Sequence, residues 1–364
     1  MKILIIDNLF APNLKGKFSN GVQKFSKTQM ELLSKKHDCH YITASGSDIQ
    51  FPNQHVLSGW FDISLEEKKD KIAQTRKLAQ EIKAIIQKID PDVVLDNSCK
   101  HLTSIWDCYK NGIVFEHYFR PFTVINQDTI KKFNDKGVFW CGVSQHQNKN
   151  FNNLFHDTIC IHYVNEPPKE VKPAKPYGVF VGRWDGGKNP HTALKNYLKS
   201  GSPYPVECFI KFGGVKIPDK ELEFLQASQL MKFHIDASRE TILNLVSEAM
   251  FGLGMGNEST GIVSLEYASY GVPYIVPGNK SIAEQEHIPK EALFFCDRSL
   301  EENIPSQIKK SVDFCSQISY NDRIKLSQYI VGKYTADHFI AENNRIIQQA
   351  MNKFSKGNLE WFIK

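Results

Sequence analysis

AMFGLGMGNESTGIVSLEYASYGVPYIVPG, residues 249–278, is the stretch on which the fold turns. An apolar run ending in GLGM reads as a buried strand, the polar NEST as a loop, GIVSLEYASYG as a helix and PYIV as a second strand. Ser259 or Thr260 can cap the helix and Gly261 opens its first turn. Gly271 stands where the helix closes, because glycine takes up the left-handed backbone that ends one. Continuous apolar strands alternating with helices indicate parallel sheet buried on both faces.

The same alternation runs outward in both directions. ILIID, HYITA, DVVLD, GIVFE and VFWCGVS read as strands in the first half, and GVFVGR, VECFIKF, AMFGLGM, PYIVPG and ALFFC in the second. Between them, VQKFSKTQMELLSKK and IAQTRKLAQEIKAIIQKI place apolar residues three or four apart, which is the helical period. The pattern breaks once, at NEPPKEVKPAKPY (165–177), where four prolines among lysines and glutamates form neither element. The expectation is an α/β chain of two doubly wound Rossmann-like domains, 1–165 and 178–340, joined by a linker at 166–177 and facing a cleft. The region after Ser311 reads as helical to near the end.

Composition narrows the class. The chain has 364 residues, 41% hydrophobic and 23% charged, as ordinary globular proteins have. The opening MKILIIDNLF reads as a strand rather than a cleavable leader, and no run approaches the ~20 apolar residues a membrane span needs. Eight scattered cysteines without a C-x-x-C pair argue against a zinc site or a disulfide framework and suggest a reducing cytoplasm. A net charge of +5 permits a polyanionic partner without requiring one.

Ligands of doubly wound sheets bind at the carboxyl ends of strands, so the residues just after the apolar runs carry the information. Gly21 immediately precedes the first helix, with Val22 after it, and there close backbone approach and free N–H groups suit a phosphate. In VGRWDGGKNPHTAL, Arg183 and Lys188 bracket a Gly-Gly turn ahead of Pro190, and two cations there suit a diphosphate. In NESTGIVSLE, the amides of Gly261, Ile262 and Val263 open a helix flanked by Glu258 and Glu266, eight positions apart. An acceptor-only carboxylate matches the paired hydroxyls of a sugar or a ribose, so this spacing fits a nucleotide sugar. Each feature alone has a plainer alternative: a turn glycine, solvated loop charges, a capping residue with a surface glutamate.

Together, a glycine loop after the first strand, Arg and Lys after the first strand of the second domain, and E-x7-E continued by AsYGVP resemble the retaining GT-B glycosyltransferases. The resemblance implies a GT-B fold whose C-terminal helix, 341–364, crosses back to the N-terminal domain. It implies a nucleotide-sugar co-substrate, a UDP-sugar, with no metal required. Gly21 and Val22 would then approach the diphosphate, Arg183 and Lys188 neutralise it, and Gly261, Ile262 and Val263 bind the phosphates. Glu258 would contact sugar hydroxyls and Glu266 the ribose.

A narrower resemblance lies in NGVQKFSKTQMELLSKKHDCHYITA, IVFEHYFRPF and VFWCGVSQHQNKNFNN, which are similar to stretches of the phage DNA α-glucosyltransferases. Those enzymes transfer glucose to 5-hydroxymethylcytosine in duplex DNA. His117 would hydrogen-bond the sugar near the reacting carbon. Tyr118 stands where those enzymes carry Asp, so that role passes to no residue here. A DNA acceptor implies phosphate and base contacts from Lys15, Lys17, Lys131, Lys132, Lys149, Tyr118 and Arg120, in the cytoplasm of an infected host. Two alternatives stay open: a GT-B enzyme acting on a cell-surface glycan or lipid-linked acceptor, and a non-catalytic nucleic-acid-binding protein.

Overall fold

The computed structural model describes residues 1–10, 12, 21–62, 65–98, 105, 108, 111–116, 128, 131, 138–143, 148, 154–159, 163–186, 189–212, 216–254, 262–277, 293–296 and 304–362. The chain divides into two compact units, Met1–Ile161 with Asp337–Lys364, and His162–Ala336.

The first unit holds a seven-stranded parallel sheet: β1 (Lys2–Ile6), β2 (Asp38–Thr43), β3 (Gln54–Val56), β4 (Val93–Asp96), β5 (Gly112–Glu116), β6 (Phe139–Gly142) and β7 (Asp157–Thr158). Their order is β3-β2-β1-β4-β5-β6-β7. Ile3 to Ile6 are wholly buried, as a central strand covered on both faces demands. Helix α1 (Gly21–Leu33) joins β1 to β2, and α2 (Lys68–Ile89) precedes β4. Leu78, Ala79, Ile82, Ile86 and Ile89 recur on the one buried stripe of α2. Asp90 closes that helix in a left-handed turn, its amide bonded to Ile86 O, and Pro91 prevents continuation.

The second unit holds six parallel strands: β8 (Lys175–Trp184), β9 (Val206–Phe212), β10 (Met231–Ile235), β11 (Ala249–Leu253), β12 (Tyr274–Pro277) and β13 (Leu293–Cys296), in the order β10-β9-β8-β11-β12-β13. Its helices are α3 (Pro190–Lys199), α4 (Asp219–Gln226), α5 (Arg239–Glu248), α6 (Ile262–Ser269), α7 (Ile304–Cys315) and α8 (Tyr320–Lys333). Within the described residues of the stretch quoted first, the elements are those read from sequence: β11, α6 and β12, with β11 and β12 parallel. Gly271 has φ +70°, its amide bonds to Ala268 O, and the Val272 amide reaches back to Tyr267 O. That paired bonding is a Schellman closure, which turns the chain sharply into β12.

The last helix, α9 (Ala336–Phe362), packs on the first unit. Phe339 meets Phe25 of α1 edge-on with ring centroids 5.6 Å apart, and Asn343 accepts from Gln29 of α1.

Two sequence expectations need correction. The proline pattern extends the linker to residue 177, yet Lys175, Pro176 and Tyr177 already belong to β8. Lys175 pairs with Ala249 and Gly178 with Phe251, so Pro176 and Tyr177 stand opposite Met250 alone. A proline without an amide hydrogen is tolerated at such a bulge. The apolar runs also miss three strands: β3, β7 and β10. All three lie at sheet edges, where half-solvated residues need no apolar run.

Candidate functional site

In the second sheet the chain starts at β8 and winds outward to β9 and β10 on one side, then returns to wind through β11, β12 and β13 on the other. The boundary between β8 and β11 is therefore a topological switch point, where connections leave in opposite directions and a crevice opens beyond the carboxyl ends. Arg183 is the penultimate residue of β8 and stands at that edge. Its side chain is 56% exposed, and Nε lies 3.1 Å from Oδ2 of the buried Asp185. A guanidinium tethered by a neighbouring carboxylate yet open to solvent is directed without being neutralised away from an incoming anion. The turn after it leads into α3, with Asn189 in a left-handed conformation (φ 54°) and Pro190 as the first helical residue.

The neighbouring strand β11 feeds α6, which begins at Ile262. Among the described residues, no acidic side chain lies in the first turn of α6 or of α1. Val263 is partly covered and Glu266 sits one turn into α6. Glu266 Oε1 accepts from Arg239 Nη2 at 3.1 Å. Arg239 is the first residue of α5, which is capped by Ser238 accepting from the Thr241 amide. Helix α5 follows β10, so its first residue marks the carboxyl edge of the sheet, and Glu266 is turned toward that edge.

In the first unit the switch point lies between β1 and β4. Gly21 is the exposed first residue of α1 rather than a residue before it, and Val22 follows in the same turn. Both central strands run into the same doublet, Asp7-Asn8 just after β1 and Asp96-Asn97 with Asp96 as the last residue of β4, and all four side chains are buried. Asp7 Oδ1 accepts from the Asn8 amide at 2.7 Å, and Asp96 Oδ1 accepts from the Ser98 amide at 2.8 Å and from Ser98 Oγ at 2.5 Å. A chain of amides then crosses the unit. Asn97 Nδ2 donates to Gln29 Oε1 at 2.7 Å, Gln29 Nε2 to Asn343 Oδ1 at 2.8 Å, and Asn343 Nδ2 to Phe339 O at 2.9 Å.

Of the residues singled out from sequence, the second unit thus brings Arg183, Ile262, Val263 and Glu266 to one switch point, and the first unit places Gly21 and Val22 at another. Lys131 is exposed. Lys15, Lys17, His117, Tyr118, Arg120, Lys132, Lys149, Lys188, Glu258 and Gly261 lie outside the described residues. Sequence reasoning overlooked Asp185, Arg239 and the two Asp-Asn doublets. The doublets had a usable signal, since each directly follows an apolar run. Arg239 had none, being 27 residues from its partner and in an unremarkable polar stretch.

The chain's one D-x-D triplet, Asp90-Pro91-Asp92, is at the opposite, amino edge of the first sheet, where Asp92 Oδ2 accepts from the Lys2 amide at 2.8 Å. Among the described residues no group of three His, Cys, Asp or Glu is arranged to hold a metal ion, and no helix is long and apolar enough to cross a membrane. Cys39, Cys108, Cys141, Cys208 and Cys315 are unbridged.

No protein-family model matches the sequence and no curated protein matches it. Solved structures do. The lipopolysaccharide outer core galactosyltransferase WaaB superposes with a TM-score of 0.67 at 13% identity, covering 96% of this chain and 99% of that one. A glycosyltransferase from Rickettsia africae gives 0.64 at 16% identity, covering 96% and 98%. An alpha-glucosyltransferase in complex with UDP and a 13-mer DNA gives 0.57 at 12% identity, covering 96% and 100%. Two parallel Rossmann-like sheets, matched over nearly the whole of each chain, give this protein the GT-B fold.

Proposed function

We propose that this chain is a retaining glycosyltransferase that moves a sugar from a UDP-sugar to 5-hydroxymethylcytosine in bacteriophage duplex DNA. The observation that carries the enzymatic reading is the rooting of Arg183 and Glu266 on β8 and on the helix after β11, the two strands flanking the switch point of the second sheet. A nucleotide sugar laid along that edge meets a cation where its diphosphate would be and a carboxylate where its ribose would be. Lys188 and Glu258, which follow the same two strands in the sequence, would complete the set. Sugar transfer develops positive charge at the anomeric carbon and negative charge on the departing diphosphate. Arg183, Lys188 and the amino end of α6 oppose the latter.

In the proposed step the acceptor hydroxyl oxygen bonds to the anomeric carbon from the face the phosphate leaves. The bond from that carbon to the phosphate oxygen breaks, and the hydroxyl proton passes to the departing phosphate. Configuration is retained without a covalent enzyme intermediate. An inverted product refutes this route.

The DNA acceptor is supported by the local similarities around residues 20–44, 113–122 and 138–153 and by the fold shared with the DNA-bound alpha-glucosyltransferase. A base inside a duplex must leave the stack to reach such a site, and phosphate contacts would make binding fall steeply with salt. A second reading, transfer to a cell-surface glycan, is favoured by the higher TM-score of the outer core galactosyltransferase, 0.67 against 0.57.

One assay separates them. The protein is incubated with a panel of nucleotide sugars and duplex DNA containing cytosine or 5-hydroxymethylcytosine, and the digested nucleosides are weighed by mass spectrometry. A nucleoside heavier by one sugar, only with hydroxymethylated DNA, supports the DNA reading and names the donor. Intact binding of a nucleotide sugar with no mass shift refutes it and moves the acceptor to a glycan.

A further inference from the structure

We infer that Arg239 is a positioning residue for nucleotide binding, holding the Glu266 carboxylate in the orientation that receives the ribose hydroxyls; this rests on the nucleotide-sugar reading above. The geometry comes from two helices that meet only in the tertiary structure. Arg239 opens α5, immediately after its Ser238 cap, and its guanidinium reaches α6. Nη2 donates to Glu266 Oε1 at 3.1 Å, while Nε lies 3.9 Å from Oε2 of Glu166, on the segment that leads into β8. The side chains are 47% exposed for Arg239, 27% for Glu266 and 65% for Glu166. Arg239 is therefore anchored mainly on the more covered carboxylate, with Glu166 as an outer partner.

Glu266 has three rotatable bonds before its carboxylate, so a partner that engages the carboxylate narrows the directions it takes. A planar guanidinium defines that direction better than a point charge. The contact engages Oε1 and turns the group toward the carboxyl edge of the sheet. A carboxylate held there accepts from a vicinal diol without first losing side-chain freedom, which is where affinity is gained by preorganisation. An ordinary half-exposed ion pair makes a different prediction: a small effect on stability and none on which nucleotide is preferred.

The test compares binding of UDP and 2′,3′-dideoxy-UDP by calorimetry to the wild-type chain and to Arg239→Ala, Arg239→Lys and Glu266→Ala. The wild type should prefer UDP by about tenfold or more, the worth of hydrogen bonds to a charged acceptor. Arg239→Ala should lose most of that preference, UDP weakening about tenfold and the dideoxy analogue staying within about twofold. Arg239→Lys should fall between, because the charge stays and the fork goes. Thermal unfolding should move by no more than about 2 °C, as for a half-exposed pair, so that a folding defect is recognised as such. Full preference in Arg239→Ala, or equal weakening of both ligands, overturns the positioning role and leaves the nucleotide reading intact. No preference in the wild type overturns the ribose role of Glu266, and no binding of either ligand by the wild type overturns the nucleotide-sugar reading itself.

Discussion

Replacing Gly271 with alanine tests the closure of α6, on which the placement of Glu266 depends. Gly271 has φ +70°, and a left-handed conformation costs an L-residue about 1–2 kcal/mol. The added Cβ would also lie 2.3 Å from Arg323 O and 2.8 Å from its carbonyl carbon. Those are backbone atoms of α8, so no rotamer change relieves the clash and the two helices must separate. Arg323 moves with them. Its guanidinium is buried and caps the end of α5, Nη1 donating to Ala249 O at 2.6 Å and Nη2 to Ser247 O at 3.1 Å. Weakening one charge-assisted bond of this kind costs about 1.5–3 kcal/mol. Strain and displacement together come to about 2.5–5 kcal/mol, or a fall of about 10 °C in the melting temperature of a unit this size. Gly201 is the internal control, since it has φ +68° and a Cβ added there would meet nothing within 4 Å. Gly201→Ala should show the conformational strain alone, about 1–2 kcal/mol. The two variants are compared by differential scanning calorimetry and urea unfolding. If Gly271→Ala is no worse than Gly201→Ala, the contact between α6 and α8 is not what requires glycine there, and the reasoning fails.

Three further outcomes can be checked on the same molecule. Gln29→Leu removes one partner each from Asn97 and Asn343 in a buried chain and should cost about 2–4 kcal/mol, with hydrogen exchange accelerated in α9 ahead of the sheet. His156 is exposed as a residue, but its ring packs against Phe139 and meets Lys353 Nζ. Desolvation of the ring and then Lys353 push its pKa down to about 4, so the folded state favours the neutral ring over the unfolded value near 6.5. The unfolded chain then binds more protons between those values, so stability is full above about pH 6.5 and declines toward pH 4; His156→Phe should flatten that part of the melting-temperature profile. Arg183→Ala should lower kcat/KM for sugar transfer by about 10²- to 10³-fold, while Lys216→Ala, in an exposed ion pair with Asp219, should leave it unchanged in the same assay.

Most of the architecture was legible because its signals are local. A buried parallel strand must be apolar along its whole length, and Ile3 to Ile6 or Val93 to Leu95 show that in one dimension. The helix after β11 was readable to its last turn because glycine at its end satisfies a backbone requirement that no distant residue alters. Arg183 at the end of β8 and Glu266 on the helix after β11 could be placed from sequence, since a doubly wound sheet turns those strand ends toward its crevice.

What only the tertiary structure decided is whatever depends on a partner far along the chain. The edge strands β3, β7 and β10 acquire their conformation from the ladder beside them, and QHV or MKFHI shows no run that demands it. Lys175 to Tyr177 resemble linker because prolines punctuate them, and only the bulge opposite Met250 accommodates Pro176 in a strand. The chain from Asn97 through Gln29 to Asn343 joins β4, α1 and α9, and its members look like ordinary polar residues of helices and loops. The spacing to Glu258 singles out Glu266 in the sequence, but its bond to Arg239, at the head of another helix, exists only in the tertiary structure. Sequence alone determined which residues stand at the strand ends, because periodicity and backbone chemistry are written residue by residue; the partners that aim those residues were decided by which helices the sheet order brings side by side.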